Sequence, residues 1–411
     1  MSPINGLKEN GEPPMPDGAA EDGGFRKHRR GSGQFDIHDA EAFDLQPLSK
    51  LRFDLDAETI ADLTVAENAI WDLNQRDTLR DREVYARAML NIEAMASVRM
   101  DGKPPSAAEI FREAAEASFG RTEESDHLVR YGRDRESLRF ALSLADSGCS
   151  VDTFKAVHEK VLPPKHAARG GLLRDDLKQV GGSRYHVFGS TYTMPAPERI
   201  EPLLADLADF MALDAMPVVE QAGIAHAQLI NIHPFERGNG KMARMVIHTS
   251  LRYRGITPYY LLPFTPVVVT SSHDYIAGIN SCKFDGSEDR KTVSVRMNQW
   301  LSYFSNCCLT AVEISAGFVN DCEALLRRQM EHLNLRRGSV AAGILRMLPE
   351  MPAFTVQMAA DRLGASFKRA SEACKQLEAA GVITLATEAK RNRIYQSPEV
   401  LEAYMAIDAL R

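Results

Sequence analysis

Cysteine is sparse in this sequence: six in 411 residues, at positions 149, 282, 307, 308, 322 and 374. No two form a CxxC pair and no zinc-ligand spacing occurs, which excludes a disulfide framework and a structural zinc motif. The expectation is buried, reduced thiols and a cytoplasmic location. An excess of positive charge is also missing. Lys and Arg number 49 against 56 Asp and Glu, for a net charge of −7 and a pI near 5.9. That excludes a chain whose main task is coating nucleic acid, while leaving room for a local basic face. Long hydrophobic runs are absent too. The longest, Tyr259–Val269, is broken by Pro263 and Pro266 and is too short to span a bilayer. The first residues have no apolar stretch behind their charges, so neither a signal peptide nor a membrane partner is expected. No internal repeat or sustained heptad run occurs.

What remains is ordinary globular material, 44% hydrophobic and 26% charged. At roughly 150 residues per domain the length suggests two or three domains. Residues 1–45 are rich in Gly, Pro, Asp and Glu and poor in branched residues. Such a segment buries too little surface to offset its ordering entropy, so a disordered tail is expected, with a basic knot at Arg26, Lys27, Arg29 and Arg30. From Leu51 onward, Leu55, Ile60, Leu63, Ile70 and Leu73 recur at helical spacing. Further helical patterns cover 80–98, 106–119, 135–147, 151–162, 198–213, 218–231, 241–253, 272–283 and 293–334. The one candidate hairpin lies in 181–197, where Tyr185–Gly189 and Thr191–Thr193 read as short strands around a Gly-Ser turn.

After Gly338 the pattern changes. Ile344, Leu345 and Leu348 make one apolar face, and Phe354–Leu363 reads as a second short helix. Ser366 is placed to cap a third, with Phe367, Ala370, Cys374 and Leu377 on one stripe and Gly381 as its stop. Val382–Thr384 and Arg393–Tyr395 then read as strands of a wing. Three helices followed by a hairpin make a winged helix-turn-helix pattern.

The densest chemistry lies between His233 and Arg244, in the order His-Pro-Phe-Glu-Arg-Gly-Asn-Gly-Lys-Met-Ala-Arg. Gly238 and Gly240 bracket Asn239 just before a helix, where glycine permits close approach of an anion. The first amides of a helix lack helical partners and carry the positive end of its dipole, so this loop is a candidate phosphate cradle. Lys241 and Arg244, three residues apart on one helical face, can both reach one polyphosphate. His233 stands beside the cradle as a candidate general base.

This segment resembles the motif of the Fic (Fido) family, His-x-Phe-x-Asp/Glu-Gly-Asn-Gly-Arg-x-x-Arg. His233, Phe235, Gly238, Asn239, Gly240 and Arg244 match. Arg237 stands where the family has its acidic magnesium ligand, and Lys241 where it has its first arginine. Glu236 comes one residue early, as if the acidic and basic residues were exchanged. The flanking segments 225–232 and 247–255 also look like the family's helices. Segment 181–197 looks like its target-docking flap, with Ser183, Tyr185, Val187 and Thr191 as the docking residues. Glu93–Gly102 resembles the family's inhibitory helix: Ser97 and Gly102 match, and Asp101 replaces the glutamate.

The resemblance implies a mostly α fold, with a Fic helical core, a short β-hairpin flap and a C-terminal winged helix-turn-helix domain. The corresponding boundaries are a tail at 1–45, a helical region with the inhibitory-type helix at 46–135, the Fic core at 136–320, a linker helix at 321–337 and the winged helix at 338–411. The resemblance implies transfer of AMP from ATP to a Ser, Thr or Tyr hydroxyl of a target protein, which can be the chain itself. His233 is then the base. Arg237, Gly238, Asn239, Gly240, Lys241 and Arg244 hold phosphates, and Ser97, Asp101 and Gly102 inhibit. Magnesium is the family's metal, with Glu236 as the one candidate ligand here. Two other readings stay open: an impaired Fic protein acting as an interaction module or DNA-binding regulator through Lys368, Arg369, Lys375, Arg391 and Arg393, and a transferase using another donor such as UTP. A homodimer is a further expectation.

Overall fold

The computed structural model describes residues 42–75, 82–100, 102, 105–120, 125–180, 192–386 and 392–409. Residues 1–41 of the expected tail, Asp101, the flap residues Ser183, Tyr185, Val187 and Thr191, and Arg391 lie outside these. Residues 42–45, expected to belong to the disordered tail, are instead placed, with Leu45 buried and the Phe43 N–H donating to the Thr193 carbonyl at 3.3 Å.

The described chain is mostly helical. In order it forms α1 (Ala57–Gln75), α2 (Arg82–Met100), α3 (Ala107–Ala117), α4 (Asp126–Ala145), α5 (Val151–Val161), β1 (Gln179–Val180), β2 (Tyr192–Thr193), α6 (Pro197–Ala212), α7 (Val218–Ile232), α8 (Asn239–Tyr253), α9 (Thr265–Thr270), α10 (Ser272–Ser281) and α11 (Arg290–His332). Helix α1 buries Leu63, Ala66, Ile70 and Leu73 and packs against α11. Ile60, expected on that stripe, is 49% exposed instead, and its neighbour Thr59 takes the buried position of that turn. Capping fixes several starts: Ser106 and Glu109 form a reciprocal capping box at α3, and Ser125 and Ser150 cap α4 and α5.

Helices α7 and α8 are the antiparallel centre. Nearly every residue of α7 is buried, so its sequence shows no polar face. A β-carbon at Gly223 would sit 2.9 Å from Phe304 of α11, so glycine here lets the two helices approach closely. Helix α2 is buried without a break from Ala88 to Val98, and it packs on α4 and α9. The 43 residues of α11 give a rod of about 64 Å at ~1.5 Å per residue. It runs unbroken through position 320.

Of the expected hairpin only its last residues are described, Tyr185–Gly189 lying outside the described residues. Tyr192–Thr193 pairs antiparallel with Gln179–Val180, with Gln179 opposite Thr193. The strand partner therefore lies earlier in the chain than the Tyr185–Gly189 segment.

Beyond α11 come α12 (Val340–Met347), β3 (Ala353–Thr355), α13 (Val356–Leu363), α14 (Phe367–Ala379), β4 (Thr384–Leu385), β5 (Ile394–Gln396) and α15 (Pro398–Asp408). The three strands form one antiparallel sheet in the order β3-β5-β4. Phe354 belongs to β3 rather than to the helix, since Thr355 caps α13. Phe367 is 56% exposed, whereas Ala370, Cys374 and Leu377 of the same stripe are buried. Gly364 and Gly381 take left-handed angles, with φ of 59° and 72°, at the ends of α13 and α14. Five of the six cysteines are buried and Cys149 is partly exposed; all six are free thiols. No helix among the described residues is long and apolar enough to cross a membrane.

Candidate nucleotide site at the α7–α8 turn

His233 ends α7 in a left-handed conformation, φ 50° and ψ 59°. For a residue with a β-carbon this conformation costs roughly 1–2 kcal/mol, and such strain clusters at functional sites. The surrounding contacts hold it there. Arg174, itself buried, donates from Nε to the His233 carbonyl at 2.8 Å, and its other nitrogens donate to the carbonyls of Asp176, Pro195 and Ile232. A cation at the carbonyl end of α7 is also favoured by the helix dipole. Burial lowers Arg174 to about 10. Lys178 donates to the Glu236 carbonyl at 3.0 Å.

The loop is closed from inside by two side chains. Asn239 accepts from the Phe235 N–H at 3.0 Å and donates to the Phe235 carbonyl at 2.8 Å. Its amide is thereby committed to the loop, so a role in holding phosphate falls to the backbone at this position. Phe235 is fully buried, bridges to Leu173 and stacks on the His158 ring at 3.7 Å between centroids. The Gly171 N–H donates to His158 Nδ1 at 3.1 Å, so His158 Nε2 carries the proton and donates to the Arg237 carbonyl at 3.0 Å. Burial lowers His158 to about 4, which keeps that tautomer neutral. Gly238 takes φ 80°, and a β-carbon there would meet Val161 at 3.0 Å. Gly240 is helical and needs no special angle; a β-carbon would lie 3.5 Å from the Arg244 guanidinium.

His233 is pushed down to about 3, first by burial, then by the charges of Arg174 and Lys178. At neutral pH its imidazole is uncharged.

The two cations of α8 have partners on other helices. Lys241 places its ammonium 2.9 and 2.7 Å from the two carboxylate oxygens of Asp134 in α4. Asp134 also accepts from the Ser97 hydroxyl at 2.9 Å. Ser97, on α2, accepts from Arg244 at 3.3 Å. The Arg244 guanidinium, buried, bonds to the Tyr275 hydroxyl as well. Tyr275 donates to His226 Nε2 at 2.7 Å, leaving His226 Nδ1–H to donate to the Ala243 carbonyl at 2.8 Å. Burial lowers His226 to about 3, so it stays neutral too. A second pair joins α2 to α8: His248 lies 2.9 Å from the Glu93 carboxylate, which also accepts from Thr265 N–H at 2.8 Å. Burial raises the Glu93 pKa, but His248 and Thr265 outweigh it and hold the group below the ordinary range.

The expected site residues thus divide. His233, Gly238, Asn239, Gly240, Lys241 and Arg244 lie together at the α7–α8 turn, and Ser97 joins them from α2. Gly102 follows α2 with φ 151°. Glu236 turns its carboxylate to Arg169, 3.2 Å away on the surface, which makes it a poor metal ligand. Arg237, at the family's metal-ligand position, has no acceptor to offer. The donor set here does not fit magnesium, and no chemical step is derived through it. Lys368, Arg369, Lys375 and Arg393 are exposed in the C-terminal module, away from this site. Arg174, Lys178, His158, Asp134 and Tyr275 are the residues that sequence reasoning missed. Each acts through tertiary contact, and none stands in a motif.

Helix α7, the turn and α8 as far as Leu251 lie within residues 148–251, the segment of this chain that matches the model of the Fic/DOC family. It is similar to protein adenylyltransferase fic-1 of Caenorhabditis briggsae, 31% identical over 143 residues, or 33% of this chain and 26% of the relative. It is also similar to protein adenylyltransferase Fic of Nematostella vectensis, 28% identical over 163 residues, or 38% and 34% of the two chains. The chain thus spans about a quarter to a third of the length of the curated relatives it matches. Among solved structures, a Fic family protein from Desulfovibrio desulfuricans shares the fold, with a TM-score of 0.50 and 15% identity, covering 86% of this chain and 98% of that one.

Proposed function

We propose that this chain is a Fic-type protein nucleotidyltransferase that moves AMP from ATP to a Ser, Thr or Tyr hydroxyl of a target protein. One observation carries the reading. His233 is fixed in left-handed backbone at the end of α7, one short turn before the α8 N-terminus, with Lys241 and Arg244 on that helix. Similarity to proteins named adenylyltransferases supports it. In the step proposed, the target hydroxyl oxygen bonds to the α-phosphorus and its proton passes to His233. The bond from the α-phosphorus to the bridging oxygen breaks, and pyrophosphate leaves. Backbone amides at Gly238–Gly240 and the charges of Arg237, Lys241 and Arg244 oppose the phosphate charge. The target backbone docks beside Ser183–Thr191 as an added strand.

The site is also proposed to be self-restrained. Ser97 engages Arg244 and Asp134 engages Lys241, so both cations must change partners before they can meet phosphate. Asp101 and Gly102 extend that restraint in this reading. The C-terminal module is read as a winged helix-turn-helix. Its helix α14 exposes Lys368, Arg369 and Lys375, but also Glu372, a mixed face suited to a protein or DNA partner.

The test is incubation of the purified chain with α-labelled ATP or UTP, with and without Mg²⁺ or Mn²⁺. Label on the protein is the expected result, and His233→Ala should reduce it by ~10²–10⁴-fold while nucleotide still binds. Equal labelling in the variant would remove His233 from the reaction.

A further inference from the structure

Helix α2 has a second set of contacts, made to the C-terminal module. Glu350, in the turn between α12 and β3, has a side chain only 4% exposed. Its carboxylate accepts Arg87 of α2 at 3.3 Å and Arg362 of α13 at 2.5 Å. Its backbone carbonyl accepts from Asn91 of α2 at 3.0 Å. At the other end of α2, Arg99 pairs with the Asp408 carboxylate of α15 and donates to the Asp408 carbonyl at 3.2 Å. The module is seated by aromatic packing as well. Tyr404 of α15 meets Phe111 of α3 edge-on at 5.0 Å and Phe318 of α11 at 4.9 Å.

These grips at residues 87, 91 and 99 bracket Glu93 and Ser97, the two residues that tie α2 to α8. One helix therefore carries both the Ser97 contact to Arg244 and the attachment to the module. A rigid helix gripped on both sides of its active segment transmits displacement rather than absorbing it. The Glu350 carboxylate is shared between α2 and α13, and α13 packs on α14, the helix with the exposed basic residues. A buried carboxylate between two guanidiniums keeps its position only while both are in place.

We infer that the C-terminal module controls access to the nucleotide site by holding α2 down, with Glu350 and Asp408 as its two grips. This inference rests on the reading of His233–Arg244 as a nucleotide site. A partner that repacks α13 and α14 would loosen the Glu350 grip, release Ser97 from Arg244 and admit phosphate. The two states differ in nucleotide affinity, which is what regulation by coupling requires.

The full chain carries the test, in three variants: Glu350→Gln, Arg99→Ala with Asp408→Asn, and the exchanged pair Arg99→Asp with Asp408→Arg. Two readouts are taken: hydrogen exchange of the 88–100 amides, and binding of ATP without added metal. Releasing either grip should speed exchange in 88–100 and raise ATP affinity by ~5–150-fold, and the exchanged pair should restore wild-type behaviour. Asp134→Asn, which removes the Asp134 charge from Lys241 without touching the module, is the positive control for ATP binding. If that control gains affinity while the grip variants do not, the inference is overturned. If exchange in 88–100 stays at the wild-type rate in the grip variants, it is overturned as well. If no variant binds ATP, the nucleotide reading itself fails, and exchange at 239–246 of α8 decides whether the grip reaches that helix. Should Glu350→Gln fail to fold, the partly exposed Arg99–Asp408 pair decides alone.

Discussion

The two sides of the site are held in different ways. The His233 side is fixed through main-chain carbonyls: Arg174, Lys178 and His158 all donate to backbone oxygens of the turn. The α8 side is held through side chains of other helices, Asp134 and Ser97 among them. Carbonyls cannot leave without unfolding the turn. Side chains can exchange partners at the cost of a rotamer change. The His233 backbone is therefore preorganised, while Lys241 and Arg244 sit in an exchangeable state.

Three changes probe that contrast, from the largest expected effect to the smallest. Arg174→Ala would strip the donor from four carbonyls. At ~1–3 kcal/mol per unsatisfied buried group it should cost about 3 kcal/mol or more of unfolding free energy. Denaturant unfolding measures this, and a loss within experimental error would mean that the turn is not built on Arg174. The exchange of Glu236→Arg with Arg237→Glu places an acid at the family's metal-ligand position. Metal-dependent labelling should rise roughly tenfold, within the range of coupling effects. A wild type that is fully active with Mg²⁺ beside an inactive exchange variant would show that the loop has its own metal arrangement.

The third change, at His158, has the smallest effect at neutral pH and acts through acid stability. His158, His226 and His233 are lowered to about 4, 3 and 3 from an ordinary value of 6.5. Between pH 6.5 and about 3 the unfolded chain binds more protons than the folded one, so stability rises with pH across that window. The contribution of the three rings is fully in place above about pH 6.5 and is lost as pH falls toward 3. The melting temperature should drop through this range. Replacing His158 by Gln, which can make one of its two hydrogen bonds, should make the drop shallower, and an unchanged slope would take His158 out of the explanation.

Much of this arrangement was legible in the sequence, because motif and periodicity are local. The helix starts at α6, α7 and α8 followed from apolar spacing, and the His233–Arg244 order named the turn. What was hidden depends on contacts far along the chain. Asp134 stands 107 residues before Lys241, within a charged stretch that reads as a solvated helix face. Arg174 lies in a Gly-rich connection where nothing marks it as buried. Asn239 was read as a phosphate ligand because its neighbours are glycines, but its amide pairs with Phe235. The pairing of Tyr192–Thr193 with Gln179–Val180 was not legible, because Gln179–Val180 lacks the strand composition that marks Tyr185–Gly189. Ile60 lies three residues before Leu63 and still faces solvent, while Thr59, four before Leu63, is buried; a spacing of three or four does not say which of the two residues falls on the buried face.

The difference between the two sides is tested most directly by titrating ATP, without added metal, into the wild-type chain and into Asp134→Asn at one ionic strength. If Lys241 is withheld by Asp134, the variant should bind ~5–150-fold more tightly with its fold intact by thermal melting. Equal affinity, or weaker binding by a folded variant, would mean that Asp134 does not restrain the α8 cations and that the exchangeable side of the site is fixed as firmly as the other.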